Sequence, residues 1–211
     1  MIAIIDYGVG NLFSLKSSLE SCGIEAKVTG DPQEIRAADR IILPGVGAFE
    51  DAIAKLRADG LDKVVVEQAQ EGKPLMGICL GMQLLFDVSH EFGLHKGLGL
   101  IPGDCVPIAD VIPAGLKIPH VGWNALHFTQ KYSPIFKDVK DGDSVYFVHS
   151  YYCANCEKDV TAVTEYGADL TASVRRGNVF GCQFHPEKSG SVGLKILRAF
   201  CETGGETEET L

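Results

Sequence analysis

Three runs of consecutive apolar residues constrain the fold of this 211-residue chain more than any other feature. They are Ile2-Ala3-Ile4-Ile5, Ile41-Ile42-Leu43 and Pro74-Leu75-Met76-Gly77-Ile78. A strand with one face in water alternates apolar and polar residues, whereas an unbroken run marks a strand buried on both faces. Each run is followed by glycine and then by apolar residues at helical spacing. Leu12, Leu15 and Leu19 follow the first, Phe49, Ile53 and Leu56 the second, and Met82, Leu85 and Phe86 the third. Strand and helix in alternation predict a parallel sheet with helices on both faces. A further strand fits residues 25–28, and a helix fits 61–70. Asp31-Pro32-Gln33-Glu34 opens another helix, with Asp31 as cap, Pro32 at the first helical position and Glu34 as the returning carboxylate of a capping box.

Beyond residue 98 the pattern changes. Short β-type runs at 145–148, 160–164, 171–174 and 179–184 predict antiparallel additions to the edge of the sheet, and a last helix fits 190–201. No linker, repeat or compositional break divides the chain, so residues 1–201 read as one α/β domain: a mainly parallel central sheet flanked by helices, with antiparallel strands in the C-terminal half. A chain of this length buries roughly 70% of its unfolded surface and can build a full core without staples. Residues 202–211 carry Glu202, Glu206, Glu208 and Glu209 with no Lys or Arg, the composition of a solvated tail.

Composition excludes several classes. With 45% hydrophobic and 22% charged residues the chain is not wholly disordered. Its 28 acidic residues outnumber 19 basic ones, for a net charge of −9 with no basic stripe, which argues against a nucleic-acid partner. No apolar run approaches the ~18 residues of a membrane span. The N-terminal run is short and lacks a basic leader, so no signal peptide is expected. Seven scattered cysteines, an odd number, favour a reducing cytoplasmic setting over a disulfide framework.

Gly77-Ile78-Cys79-Leu80-Gly81 follows an apolar strand and precedes a helix-spaced segment. A nucleophile between two glycines at such a turn is a nucleophile elbow, which sets the side chain at the C-terminal edge of a sheet and at a helix N-terminus that favours a thiolate. The same pentapeptide also suits a small buried cysteine between packing glycines. A thiol nucleophile needs a base, and the base needs an orienting acceptor. His185 ends the run 179–184, and Glu187 stands two residues on, able to hold one imidazole nitrogen while the other faces Cys79. Taken alone, His185-Pro186-Glu187 would only punctuate a strand; the elbow cysteine in the same sheet favours the catalytic reading. Backbone N–H groups of Gly45, Val46 and Leu80 are candidate donors to an oxyanion, Gly45-Val46-Gly47 following the neighbouring strand; that segment also fits an ordinary strand-to-helix turn. No glycine-rich loop with a following Lys-Ser or Lys-Thr suggests a phosphate site. Cys153-Ala154-Asn155-Cys156 has no second pair at zinc spacing and reads as structural or incidental. His120 and His127 read as surface or satisfied polar residues, and Trp123 as core or rim.

Taken together, Pro44-Gly45-Val46-Gly47, Gly77-Ile78-Cys79-Leu80-Gly81-Met82-Gln83 and Gln183-Phe184-His185-Pro186-Glu187 resemble the class I, triad-type glutamine amidotransferases. Asp6-Tyr7-Gly8-Val9-Gly10-Asn11, His120-Val121-Gly122-Trp123-Asn124 and Phe147-Val148-His149-Ser150-Tyr151-Tyr152 are similar to segments of the glutaminase subunits of imidazole glycerol phosphate synthases. The resemblance runs from residue 1 to about 201 and implies hydrolysis of L-glutamine through a Cys79 thioester, with His185 as acid/base and Glu187 orienting it. It implies that Gln83, Glu91, Ser150 and Tyr151 hold the glutamine head group. It further implies that Asn11, Trp123 and Lys188 face a (β/α)8-barrel cyclase subunit in a heterodimer, with neither metal nor cofactor required. The same fold also carries glutaminase subunits of anthranilate-type and carbamoyl-phosphate-type synthases, and silent interaction subunits; the Val121-Gly122-Trp123-Asn124 segment and the intact Cys79, His185 and Glu187 set weigh against these. A cysteine peptidase is a third reading, one that a substrate panel would separate.

Overall fold

The computed structural model describes residues 1–203. The first half alternates as its apolar runs predict: β1 (Ile2–Ile5), α1 (Leu12–Ser21), β2 (Ala26–Thr29), α2 (Pro32–Ala37), β3 (Arg40–Gly45), α3 (Phe49–Ala58), α4 (Leu61–Gln70), β4 (Leu75–Cys79) and the short α5 (Leu80–Leu84). The second half is mostly strand: β5 (Phe86–Ser89), β6 (His95–Lys96), β7 (Ile101–Pro107), β8 (His120–Ala125), β9 (His127–Phe128), β10 (Ser144–His149), β11 (Tyr151–Ala154), β12 (Val160–Glu165), β13 (Asp169–Arg176) and β14 (Val179–Cys182), closed by α6 (Gly190–Glu202).

The main sheet has the order β2-β1-β3-β4-β14-β13-β12-β9. Its five strands from β2 to β14 are parallel, and β13, β12 and β9 continue it antiparallel. Double burial explains the unbroken apolar runs. Ala3 and Ile5 pack into one core with α2, α3 and α4, while Ile2 and Ile4 pack into the other with α1 and α6. The cap of α2 forms only in part. Asp31 accepts from the Gln33 N–H at 2.8 Å, but Glu34 bonds Lys27 and Thr29 instead of turning back to Asp31.

Three expectations need correction. The run 145–148 does not join the main sheet: β10 pairs antiparallel with β8 in a two-stranded ribbon. Its burial alternates, with Val145, Phe147 and His149 inward, so it suits a one-sided ribbon and not a doubly covered sheet. The run 179–184 does not extend an edge. β14 is buried throughout and inserts parallel beside β4, between it and β13. The helix after Cys79 stops at Leu84, and Phe86 opens β5. There the carbonyls of Leu84, Leu85 and Phe86 accept from residues 98–101, so ladder pairing displaces further helical turns. The strands β11, β7, β5 and β6 form a third, four-stranded sheet behind this segment.

At the other end, α6 reaches Glu202, which pairs with Lys137, and Thr203 is buried with its carbonyl held by Arg40. The helix α6 runs to Glu202, the first residue of the acidic tail, and residues 204–211 of that tail lie outside the described residues.

Candidate active site

Cys79 ends β4 in a left-handed conformation, with φ 55° and ψ −115°. A non-glycine residue there costs on the order of 1–3 kcal/mol and persists only where its surroundings enforce it. The enforcement is steric. A Cβ on Gly81 would meet the Leu43 carbonyl oxygen at 1.9 Å, and one on Gly77 would meet the Gly81 oxygen at 2.6 Å. The glycines let α5 begin directly against β3, so the first free N–H of that helix, at Leu80, opens beside the sulfur. Gly45 stands opposite Cys79 in the β3–β4 register, and Gly47 takes φ +94° just beyond it.

The parallel insertion of β14 carries His185 to the same sheet edge. His185 Nδ1 lies 2.8 Å from Glu187 Oε1, and both side chains are only 3% exposed. The imidazole shares the cleft wall with the Cys79 sulfur. Burial works against a charged imidazole, but the nearby Cys79 sulfur and Glu187 outweigh it and push His185 up to about 9. Ser189 braces the segment: its hydroxyl donates to the His185 carbonyl at 2.6 Å and accepts from the Tyr146 N–H at 3.0 Å. The three residues singled out in the sequence therefore meet as a Cys-His-Glu constellation.

They open into a cleft of about 420 Å³. Of the expected oxyanion and substrate residues, Val46, Leu80, Gln83, Glu91, Ser150 and Tyr151 line it, whereas Gly45 does not. Two of these have part of their hydrogen-bonding capacity already taken. Glu91 Oε2 accepts from the Phe49 N–H at 2.6 Å, at the start of α3. Gln83 Nε2 donates to the Tyr151 carbonyl at 3.2 Å and to Gln183 Oε1 at 2.9 Å, leaving only its own oxygen for another molecule. Lys188 also lines the cleft, its ammonium 5.9 Å from the Tyr146 ring, and Trp123 meets the other edge of that ring at 6.1 Å. Trp123 is 56% exposed, so it is a rim residue and not core. Asn11 precedes α1 without a side-chain cap bond, and neighbouring Gly10 abuts Pro44 at the foot of the Gly45-Val46 segment.

Sequence reading gave no role to His149, which lines the cleft, nor to Gln183. His149 Nδ1 bonds the Tyr151 carbonyl at 2.8 Å, and its Nε2 lies 3.0 Å from His120 Nδ1. His120, fully buried, is the satisfied polar residue of the two alternatives, whereas His127 is exposed beside Asp141. Burial dominates at His149 and holds it down to about 4, with the nearby imidazoles of His120 and His185 adding to the effect. The alternation along β10 was the available signal, since it turns His149 inward with Phe147. Cys153 and Cys156 are buried free thiols, Cys153 Sγ lying 3.4 Å from Cys105 Sγ. Among the described residues no helix is long and apolar enough to cross a membrane.

Comparison with known proteins bears on this geometry. The family model for class-I glutamine amidotransferases matches residues 3–203. The chain belongs to that family. The imidazole glycerol phosphate synthase subunit HisH of Caldanaerobacter subterraneus subsp. tengcongensis is 52% identical over 203 residues, covering 96% of this chain and 98% of its own. The subunit of the same name from Bacillus velezensis is 49% identical over 211 residues, covering 99% of each chain. Among solved structures, one described as a glutamine amidotransferase superposes with a TM-score of 0.74 at 21% identity, over 96% of this chain and 98% of its own. PurLQS from Thermotoga maritima gives 0.71 at 22%, over 95% and 96%. At that identity the likeness speaks for the amidotransferase fold alone.

Proposed function

We propose that this class I glutamine amidotransferase is the glutaminase subunit of an imidazole glycerol phosphate synthase and passes ammonia to a (β/α)8-barrel cyclase. The observation that carries the reading is the coincidence of a buried Cys-His-Glu constellation with relatives of that printed name matched over nearly their whole length. Cys79 gives its thiol proton to His185, and the sulfur attacks the side-chain carbonyl carbon of glutamine, forming the S–C bond and pushing electrons onto oxygen. The N–H groups of Leu80 and of the Gly45-Val46 segment receive that charge. His185, held as imidazolium, protonates the nitrogen; the C–N bond breaks and ammonia leaves. Water, deprotonated by His185, then attacks the thioester, releasing glutamate and returning the electron pair to sulfur. Glu187 fixes the imidazole orientation and balances its charge. Gln83, Glu91, Ser150 and Tyr151 hold the head group of glutamine.

Ammonia released to water is lost to protonation, so hydrolysis has to be tied to a partner. The rim supplies a docking face: exposed Val121 and Trp123 on β8, with Lys188 beside the cleft and Asn11 ahead of α1. Gly45-Val46-Gly47 is the coupling device, because a glycine-flanked peptide can turn its N–H toward or away from the oxyanion. Glutamine hydrolysis measured for the isolated chain, the binary complex, and the complex with its nucleotide is expected to rise about 10²–10³-fold over that series. Equal turnover in all three states would rule out the coupling.

A further inference from the structure

We propose that Gln183 is a catalytic residue of the thiol chemistry: its side-chain N–H donates to the Cys79 sulfur and stabilises the negative charge that the sulfur carries as nucleophile and as leaving group. The inference deepens the glutaminase reading and rests on it for the later steps of the cycle. Gln183 is completely buried, directly after β14, between the core residues Cys182 and Phe184 and facing away from them toward β4. Its Nε2 lies 3.7 Å from Cys79 Sγ, within reach of an N–H···S bond.

The sense of that bond is fixed from a distance. The Tyr151 carbonyl can only accept, so the group of Gln83 that faces it at 3.2 Å is the amide nitrogen. The same nitrogen faces Gln183 at 2.9 Å, so Gln183 presents its oxygen there. Its nitrogen is then left to face the sulfur. The anchor at Tyr151 is itself held by His149 Nδ1, and His149 by the buried His120 on β8. A primary amide is costly to bury unless bonded, and here each half of it has a partner. The donor serves the sulfur twice. It stabilises the anion that attacks glutamine, and it stabilises the same anion when the S–C bond of the thioester breaks and the electron pair returns to sulfur.

The test is alkylation of Cys79 by iodoacetamide in the full chain, followed by peptide mass spectrometry so that the other six cysteines do not interfere. In Gln183→Met the rate at pH 7 is expected to fall about tenfold, the worth of one hydrogen bond to a charged group. The deficit should close as the pH is raised and the thiol ionises without help. An unchanged rate at pH 7, or a deficit that persists at high pH, would overturn the assignment, since a mere packing defect has no such pH dependence. Where Gln183→Met does not fold, Gln83→Leu leaves Gln183 in place but frees its amide. It should slow alkylation in the same pH-dependent way, by about three- to fivefold, and wild-type behaviour in it would equally overturn the assignment. In the complete complex Gln183→Met should lower kcat for glutamine with little change in KM. Alkylation needs neither glutamine nor a partner, so its outcome is independent of whether the complex turns over glutamine.

Discussion

At the scale of single residues, the site is a set of groups whose proton affinities are pulled apart by burial and by one another. His185 keeps its proton to about 9 because Glu187 and the Cys79 sulfur offset its burial. It is therefore the acid form that meets the leaving nitrogen at neutral pH. The kcat/KM profile for glutamine is expected to fall on the alkaline side near pH 9, where that acid is lost, and a profile flat to pH 10 would contradict this assignment. Glu187→Gln keeps a hydrogen-bonding side chain but removes charge. His185→Ala should cost on the order of 10²-fold or more in turnover, and Glu187→Gln distinctly less. Steady-state rates of the two variants in the complete complex check the order.

At the scale of elements, the elbow and the ribbon carry separate predictions. Gly81→Ala would drive a Cβ into the Leu43 carbonyl, a backbone atom that cannot rotate away. A loss of about 3 kcal/mol is expected, seen as a fall of roughly 6–12 °C in the melting temperature. In the ribbon, His149 is neutral when folded down to about 4, whereas in the unfolded chain it takes a proton near its ordinary value of 6.5. Unfolding thus takes up a proton over that window, and stability falls as the pH drops from 6.5 toward 4, by roughly 2–3 kcal/mol at pH 4.5. Urea unfolding at pH 7 and pH 4.5 measures this, and His149→Gln should flatten the difference. The elements that could be read from the chain are those whose pattern is local. Ile2–Ile5 and Ile41–Leu43 are apolar throughout because both faces are covered, and the Gly77/Gly81 spacing marks the elbow directly. What could not be read depends on partners far along the chain. The parallel placement of β14 beside β4 follows from packing and not from its own composition. The bond between Gln83 and Gln183 joins residues 100 positions apart. Phe86 has the spacing of a helix, yet pairing with residues 98–101 decides its conformation.

At the scale of the whole molecule, the sheet edge that holds Cys79 and His185 also presents the face through which the chain would meet a barrel subunit. In the proposed complex Trp123, exposed beside Tyr146 and Lys188, would be the aromatic anchor of that face. Trp123→Ala is expected to weaken association with the barrel by about tenfold or more, measurable by calorimetric titration, while leaving the melting temperature of the isolated chain nearly unchanged. In the proposed reaction Cys79 liberates ammonia that a separate subunit consumes. One measurement addresses it most directly: formation of imidazole glycerol phosphate by the complete complex, with glutamine or with ammonium salt as nitrogen source, for the wild type and for Cys79→Ala. The wild type should use both sources, and Cys79→Ala only ammonium. A Cys79→Ala complex that still makes product from glutamine, or a wild-type complex that uses ammonium but leaves glutamine untouched, would contradict it.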